Sequence, residues 1–210
     1  MSSLLAEARK TPWKAVNEIK RLLLVPRVRL MFALAGIEWG RGWRFYGAPR
    51  IQRHRQSVMR FGDGLQLRSS PASNPLGVDH RVLVCTWSEG AELVIGEDFG
   101  MTGGSIVAAQ SVRIGDRVMV GANTVIADTD FHPLDAATRQ QAPHLGANRP
   151  IVIGDDVFIG MRCLILKGAI IGAGSVIGAG SVVSGEIPAG VIAAGNPAKV
   201  IRPLGASHEQ

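Results

Sequence analysis

Residues 128–135, with the sequence DTDFHPLD, carry side chains suited to proton transfer. His132 offers an imidazole, a group that ordinarily titrates at about 6.5 and can accept a proton at neutral pH. Asp128 and Asp130 lie just before it. They could orient the imidazole, hydrogen-bond a ligand hydroxyl, or only cap turns of a loop. A histidine in a loop is more often ordinary surface than a base, so its meaning depends on the surrounding elements.

Other catalytic arrangements find little support in the sequence. Cys85 and Cys163 are too few for a disulfide framework or a thiolate cluster, which fits a reducing cytoplasm. No serine or cysteine is placed with a base as a nucleophile would be. His80, His132 and His144 lack the close pair spacing of a zinc site, so we predict no metal and disfavour a metalloenzyme of the carbonic anhydrase kind.

An aliphatic residue recurs at every sixth position in the C-terminal half. These lead positions are Ile153, Ile159, Ile165, Ile171, Ile177 and Val183. The residue after each is often glycine, and the residue four places later is mostly small, such as Cys163, a predicted core thiol. A period of six fits neither a helix nor a long strand. It predicts a parallel β-helix whose coils stack about 4.8 Å apart, with glycines that allow positive φ in the turns.

The same spacing continues towards the N-terminus and then reveals a break. It recovers Ile95, Met101 and Val107, then takes one seven-residue step to Ile114, Val120 and Ile126. From Ile126 to Ile153 is 27 residues, which extrudes a loop at 128–150. Such loops are usually functional or disordered, and solenoids often carry sites on them. A tolerated insertion is the alternative. DTDFHPLD lies at the mouth of this loop.

The N-terminal residues differ from the rest of the chain in charge and pattern. Residues 1–60 contain 13 Lys and Arg against 3 Asp and Glu, whereas residues 61–210 contain 10 against 14. This asymmetry indicates two parts with different surroundings. We predict a basic helical segment at 1–60, a β-helix domain at 61–203 with the extruded loop, and a tail at 204–210.

Residues 12–25 form a candidate basic amphipathic helix. Thr11 and Pro12 predict its start, and Pro26 is expected to end or kink it. Its apolar stripe consists of Val16, Ile19, Leu22 and Leu23. We favour a stripe that caps the open end of the β-helix or contacts a neighbouring subunit. The alternative is peripheral contact with the inner membrane face.

Several partners and locations are disfavoured by the sequence. No apolar run approaches the roughly 20 residues that span a bilayer, and the first residues lack the pattern of a signal peptide. No recognition motif accompanies the basic charge, so nucleic-acid binding is not expected. The expected location is the cytoplasm.

These segments together resemble the hexapeptide-repeat acyltransferases, in particular the sugar and polysaccharide O-acetyltransferases of the colanic-acid, maltose and galactoside types. The resemblance covers about residues 80–203. It rests on DTDFHPLD, on the order of residues 142–160, and on IGAGSVVSGEIPAGVIAAGNPAKVIR at 177–202. It implies a left-handed β-helix, a homotrimer with sites between subunits, and acetyl-CoA as co-substrate. The handedness comes from the resemblance alone, because β-crossovers are generally right-handed.

The resemblance also assigns candidate site residues. His132 would be the general base that takes the proton of an acceptor hydroxyl as it attacks the thioester carbonyl. The candidate acceptor-binding residues are Asp128, Asp130, Asn123 and Thr102. The candidate contacts of acetyl-CoA are Phe158, Gly160, Met161, Ala179, Ser184, Lys199 and Arg202. The last two are basic and would face phosphates; a solvated basic tail is the alternative.

Four positions depart from the galactoside and maltose acetyltransferase pattern. Thr102 replaces an Asn and Gln110 an Asp, while Phe158 replaces a Trp and Gly185 a Lys. The first pair disfavours a simple galactoside or maltose acceptor. The expected function is acetylation of a hydroxyl on a sugar or surface-polysaccharide precursor. O-acetylation of an antibiotic and N-acetylation of an amino sugar remain open. A non-catalytic scaffold is disfavoured, because it has no need of DTDFHPLD at an extruded loop.

Overall fold

The computed structural model describes residues 9–205, which form one long helix followed by three sheets whose strands are parallel except for the last one. Helix α1 spans Pro12–Leu34. The first sheet contains β1 (Arg44–Tyr46), β4 (Gln66–Arg68), β7 (Gly100–Thr102), β10 (Met119–Val120), β13 (Phe158–Ile159), β16 (Val176–Ile177), β19 (Val191–Gly195) and β20 (Ala198–Pro203).

The other two sheets contain six strands each. The second has β2 (Arg50–Arg53), β5 (Leu83–Thr86), β8 (Ser105–Ala108), β11 (Val125–Ala127), β14 (Leu164–Leu166) and β17 (Val182–Val183). The third has β3 (Val58–Phe61), β6 (Glu92–Ile95), β9 (Ser111–Ile114), β12 (Ile151–Ile153), β15 (Ile170–Ile171) and β18 (Glu186–Ile187). A 3₁₀ turn at Pro71–Ser73 and helix α2 at Ala136–Gln141 lie in connecting loops.

Each coil gives one strand to each sheet in turn, which is the parallel β-helix that the six-residue period predicts. The first coil consists of β1, β2 and β3, so the β-helix begins at Arg44. The predicted domain boundary at residue 61 is therefore wrong. The corners of the first coils are irregular in length, so these coils do not show the six-residue spacing. The tail predicted at 204–210 lies mostly outside the described residues.

The lead aliphatic residues form the predicted internal ladders. All six from Ile153 to Val183 are buried. The positions four residues later form a second inward layer, and they are Val157, Cys163, Ala169, Ser175, Ser181 and Ile187. Cys163 is fully buried, and this burial raises the pKa of its thiol, so the prediction of a packed core thiol is confirmed.

One predicted ladder position is wrong. Ile106 pairs with Val84 and Ile126 on the inner face, whereas Val107 packs on the outer face beside Cys85. The step from Met101 to Ile106 is therefore five residues and the next, to Ile114, is eight, in place of six and seven. The short corner requires glycine, because a Cβ on Gly104 would lie 2.1 Å from the Thr124 carbonyl oxygen.

The glycines after the lead positions serve close approach between coils. Gly160 does not have a positive φ, contrary to the prediction, but a Cβ there would lie 2.5 Å from the Ala179 nitrogen of the next coil. Residues with side chains occupy several of the left-handed turn positions, among them Asn123, Asp156 and Arg162. Glycine after a lead position such as Ile159 therefore serves close contact between coils, whereas Gly174 and Gly180, farther along their turns, do have positive φ.

Helix α1 caps the first coil, although not through the stripe predicted from the sequence. It starts at Pro12 after Thr11 as expected, and it continues through Pro26 to Leu34, so Pro26 does not end it. None of residues 12–25 is buried. The buried residues are Val28 and Phe32, one and two turns farther along.

An aromatic cluster holds the C-terminal half of α1 against the β-helix. Phe32 is fully buried, and its ring centroid lies 5.1–6.1 Å from those of Trp39, Trp43, Phe45 and Phe61. The Arg53 guanidinium donates hydrogen bonds to the carbonyls of Ala35 and Gly36, where the helix ends. No helix among residues 9–205 is long and apolar enough to cross a membrane.

We expect Phe32→Ala to lower the free energy of unfolding by about 3–5 kcal/mol, because it leaves a cavity inside the aromatic cluster. Urea denaturation followed by circular dichroism measures this. Leu34→Ala is the control, since Leu34 is 81% exposed on the same helix and should change stability by less than about 0.5 kcal/mol. Equal losses for both variants would contradict the assignment of α1 as a cap.

Candidate functional site

The extruded loop leaves the β-helix between β11 and β12, at the corner from the second sheet to the third. Its two ends are joined by hydrogen bonds, including Arg149 N to Asp128 O at 2.9 Å and Asp130 N to Ala147 O at 3.0 Å. Asp135 caps α2 by accepting from the Thr138 amide and hydroxyl, and these bonds lower the pKa of Asp135. The loop predicted at 128–150 is therefore a hydrogen-bonded element with its own helix.

The structure fixes the orientation of His132 in this loop. Its Nδ1 lies 2.6 Å from the Pro143 carbonyl oxygen. A carbonyl oxygen only accepts, so in the neutral imidazole Nδ1 carries the proton and Nε2 keeps its lone pair. The ring is exposed to solvent. His132 can therefore present Nε2 to a ligand as a proton acceptor.

The backbone before His132 is held in an uncommon conformation. Phe131 has φ +61°, and its amide donates to Thr129 Oγ1 at 3.0 Å. Gly146 lies directly against this turn, since a Cβ there would be 2.7 Å from the His132 nitrogen. Strained non-glycine residues cluster at functional sites. Gly146 therefore leaves no space for a side chain beside this turn.

Asp128 has a structural role, and the predicted contact with an acceptor is not available to it. Its side chain is 0% exposed. Its carboxylate accepts from three consecutive backbone amides, those of Ala109, Gln110 and Ser111, at 2.6–2.8 Å. These amides belong to the widened eight-residue step described above. The buried carboxylate satisfies their hydrogen bonds, as the alternative of loop capping predicts.

Asp130 and Asn123 also have intramolecular partners. Asp130 forms an ion pair of 2.7 Å with Lys167, which lies at the same corner on the following coil. Asn123 occupies a left-handed turn with φ +62°, and its Oδ1 accepts from the Asp79 amide at 2.9 Å. Asp130 thus anchors the extruded loop, and Asn123 anchors the loop at 70–80.

A groove of about 570 Å³ runs along the outer face of the first sheet. It is lined by five of the predicted site residues, Thr102, Phe158, Gly160, Met161 and Ala179. Phe158 and Met119 project outward from adjacent strands and give it an apolar wall. At its other end the groove reaches Arg68 and Asn74. The fold therefore places four of the seven expected acetyl-CoA contacts on one surface.

The remaining predicted contacts lie elsewhere. Lys199 and Arg202 are on β20, which pairs antiparallel with β19 at the end of the first sheet. They therefore continue the sheet that carries the groove. Ser184 is exposed at the corner from the second sheet to the third, the corner from which the His132 loop emerges.

His132 and the groove thus occupy different sides of a single chain. The loop leaves the corner between the second and third sheets, whereas the groove covers the first sheet and its corner with the second. The described residues of one chain do not bring the two together.

Three further residues lie around His132. Pro143 and Gly146 contact its ring and backbone from the far side of the loop. Trp87 meets Phe131 edge to face, with ring centroids 6.1 Å apart. Trp87 is far from the loop in sequence, and only the stacking of coils brings it there. No spacing pattern in the sequence identifies these contacts.

Two family descriptions match the repeat region. "Bacterial transferase hexapeptide (six repeats)" matches residues 150–185, and "Hexapeptide repeat of succinyl-transferase" matches residues 103–127. The galactoside O-acetyltransferase of Escherichia coli (strain K12) is 39% identical over 119 residues, which are 56% of this chain and 57% of the relative. The chain therefore contains hexapeptide repeats of the kind found in bacterial transferases, and over these repeats it is similar to acetyltransferases.

Two solved acetyltransferase structures are similar to this chain in fold. A galactoside acetyltransferase in complex with coenzyme A is similar with a TM-score of 0.53 and 33% identity, over 71% of this chain and 65% of that one. A polysialic acid O-acetyltransferase shares the fold, with a TM-score of 0.60 over 83% and 79% of the two chains at 18% identity. The expected left-handed β-helix with an N-terminal helix is confirmed. This hexapeptide-repeat chain spans about half the length of the curated relatives it matches.

We expect Asp128→Ala to destabilise this hexapeptide-repeat fold by about 3 kcal/mol or more, because three backbone amides would lose a buried anionic acceptor. Urea denaturation measures the loss, and faster hydrogen exchange at residues 109–111 locates it. Asp79→Ala is the control, since its side chain is exposed and forms only a 3.5 Å ion pair. If Asp128→Ala exchanges no faster at these amides than Asp79→Ala, the capping role is wrong.

Proposed function

We propose that the protein transfers the acetyl group of acetyl-CoA to a hydroxyl of a sugar or surface-polysaccharide precursor, with His132 as the general base. The observation that carries this proposal is the 2.6 Å contact between His132 Nδ1 and the Pro143 carbonyl, which leaves Nε2 as an exposed proton acceptor. The similar galactoside acetyltransferase in complex with coenzyme A supports the choice of co-substrate.

In the proposed reaction the acceptor hydroxyl attacks the thioester carbonyl while its proton passes to Nε2 of His132. The Pro143 carbonyl accepts from Nδ1 throughout and therefore stabilises the imidazolium that forms. The new C–O bond forms and the C–S bond breaks. The proton on Nε2 then neutralises the departing thiolate of CoA, so the imidazole returns to its starting state. An amine would react in the same way, so N-acetylation of an amino sugar uses the same groups.

The proposed site is shared between subunits of a homotrimer. His132 and Ser184 lie at one corner of the chain and the groove at another, so a neighbouring copy would complete the site. The later coils expose aliphatic side chains on their outer faces, such as Leu164 and Ile170, and the extruded loop exposes Leu134. Apolar surface of this kind is typical of faces covered by another subunit.

The groove and β20 together suit an extended co-substrate such as acetyl-CoA. The groove offers an apolar wall at Phe158 and closely spaced backbone at Gly160 for a pantetheine arm. Lys199 and Arg202 lie farther along the first sheet, where their charges would attract phosphates. Gly185, at a position where related enzymes carry Lys, lies beside Ser184 at the corner between the second and third sheets and offers no cation there.

We expect His132→Ala to reduce acetyl transfer by about 10²–10⁴-fold while acetyl-CoA still binds, because the substitution removes only the base. Thiol release with an acceptor panel measures turnover, and calorimetry measures binding of acetyl-CoA. His144→Ala, in the same loop, is the control and should keep full activity. Light scattering should give a trimeric mass for both variants. If acetyl-CoA does not bind the unsubstituted protein, the proposed function is wrong.

We also propose that the protein works in the cytoplasm, where acetyl-CoA is available, and that α1 rests on the inner membrane face. Five exposed aliphatic residues share the side of α1 that faces away from the β-helix, and they are Val16, Ile19, Leu23, Leu30 and Leu34. Lys20 and Arg27 border this face. Isologous contact with a second copy would bring like charges together, whereas anionic lipid headgroups complement them.

Vesicle co-sedimentation at physiological salt tests this contact. We expect binding to vesicles with 30% phosphatidylglycerol and much less to neutral phosphatidylcholine vesicles. Ile19→Glu with Leu23→Glu should abolish binding, since it places two charges on the apolar face. Glu97→Gln, on the β-helix surface, is the control. Failure of the unsubstituted protein to bind anionic vesicles would end the membrane proposal.

A further inference from the structure

We propose that a second cavity beside the groove binds the part of the acceptor remote from the acetylated hydroxyl, so that the acceptor is an oligosaccharide. This inference rests on the proposed function. The cavity has a volume of about 740 Å³ and lies between the N-terminal half of α1 and residues 71–75. Its walls include Trp13, Lys14 and Tyr46. A volume of this size holds a ligand of several rings.

The cavity adjoins the groove at the end where an acceptor belongs. Arg68 and Asn74 line both spaces. The groove runs from Ala179 on a late coil, on the side of the basic β20, to Arg68 on an early coil. If the phosphates of acetyl-CoA bind at β20, the acetyl group points towards the early coils. The cavity beside α1 then lies beyond the acetyl group, on the acceptor side.

Hydrogen bonds between separate elements fix the walls of this cavity. Asn17 Nδ2 on α1 donates to the Ala72 carbonyl at 2.8 Å. The Tyr46 hydroxyl on β1 donates to Glu18 Oε1 on α1 at 2.6 Å. A third bond, from Arg68 Nη1 to the Ser73 carbonyl at 2.8 Å, ties β4 to the 3₁₀ turn. The cavity is therefore preorganised, which lowers the entropic cost of binding.

The chemistry of the lining suits a carbohydrate. Trp13 is 59% exposed and offers a flat apolar face, against which the C–H face of a sugar ring can pack. Lys14 and the Asn74 amide provide polar groups at the same surface, with Asn74 Oδ1 already bound to the Leu76 amide at 2.9 Å. An acyl chain would need a continuous apolar lining, and this cavity alternates apolar with polar groups.

Kinetics with sugars of increasing length test the inference. The probes are glucose, maltose and maltotriose, and N-acetylglucosamine with its di- and trisaccharide. We expect KM to fall with length in at least one series. Trp13→Ala should raise KM for the trisaccharide about tenfold, with kcat and the KM for the monosaccharide and acetyl-CoA unchanged, because only remote binding is lost. Leu22→Ala is the matched control, since Leu22 is also 59% exposed on α1 but does not line the cavity.

Binding without acetyl-CoA separates this inference from the proposed function. Calorimetry should detect the trisaccharide with the unsubstituted protein and about tenfold weaker binding with Trp13→Ala. If this holds while no acetyl transfer occurs, the cavity is a glycan site and the proposed function fails. If transfer occurs with KM independent of length in both series, or if Trp13→Ala alters nothing, the oligosaccharide site is wrong and the proposed function stands.

Discussion

The structure depends on the hydrogen bonds that stack each coil on the next at one strand spacing. Because every strand from β1 to β19 pairs in parallel with the strand one coil away, each corner must follow the course of the corners beside it. At Gly160 the backbones come so close that no side chain fits between them and the next coil. Under this constraint only two features of the sequence can vary freely, namely the side chains that point outward and the length of a corner. Both are used to build the candidate site.

The corner between the second and third sheets shows how a change of length is accommodated. The coil before the extruded loop makes a widened turn there, and its three amides point at a single buried carboxylate, that of Asp128. The next coil opens at the same corner into the loop that carries His132. Asp128 therefore stabilises the stacked coils and also the loop that carries His132. It supports the base of the loop, while Asp130 ties the loop to Lys167 on the coil that follows.

The sequence predicts the fold well wherever one period governs many residues. The lead aliphatics, the extruded loop and the start of α1 at Pro12 are such cases, since each depends on local spacing or on a local steric rule. Local spacing does not predict the inward position of Ile106. A short corner followed by a long one shifts the register there by one residue, so Val107 points outward. The extent of α1 past Pro26 depends on the aromatic cluster around Phe32, which is formed by tertiary contacts.

The candidate site, like the fold, could be predicted from the sequence only in part. His132 and the groove residues follow from motif and register, and the structure places five of the expected contacts on one surface. The acceptor roles suggested for Asp128, Asp130 and Asn123 could not be judged from the sequence, because an aspartate that caps a backbone turn and one that binds a ligand occupy the same motif. Pro143, Gly146 and Trp87 approach His132 only through the folded loop and the stacked coils.

The antiparallel strand β20 has a consequence for the whole particle. A stack of parallel strands exposes unpaired amides and carbonyls at both ends, and such edges template the addition of further strands. At the end of the first sheet β20 runs backwards over β19, and at the start α1 covers the first coil. The other two sheets finish in strands of only two residues. The β-helix shares its parallel stacking with fibre-forming architectures, and an antiparallel strand, short strands and a covering helix at its ends disfavour the addition of further parallel coils.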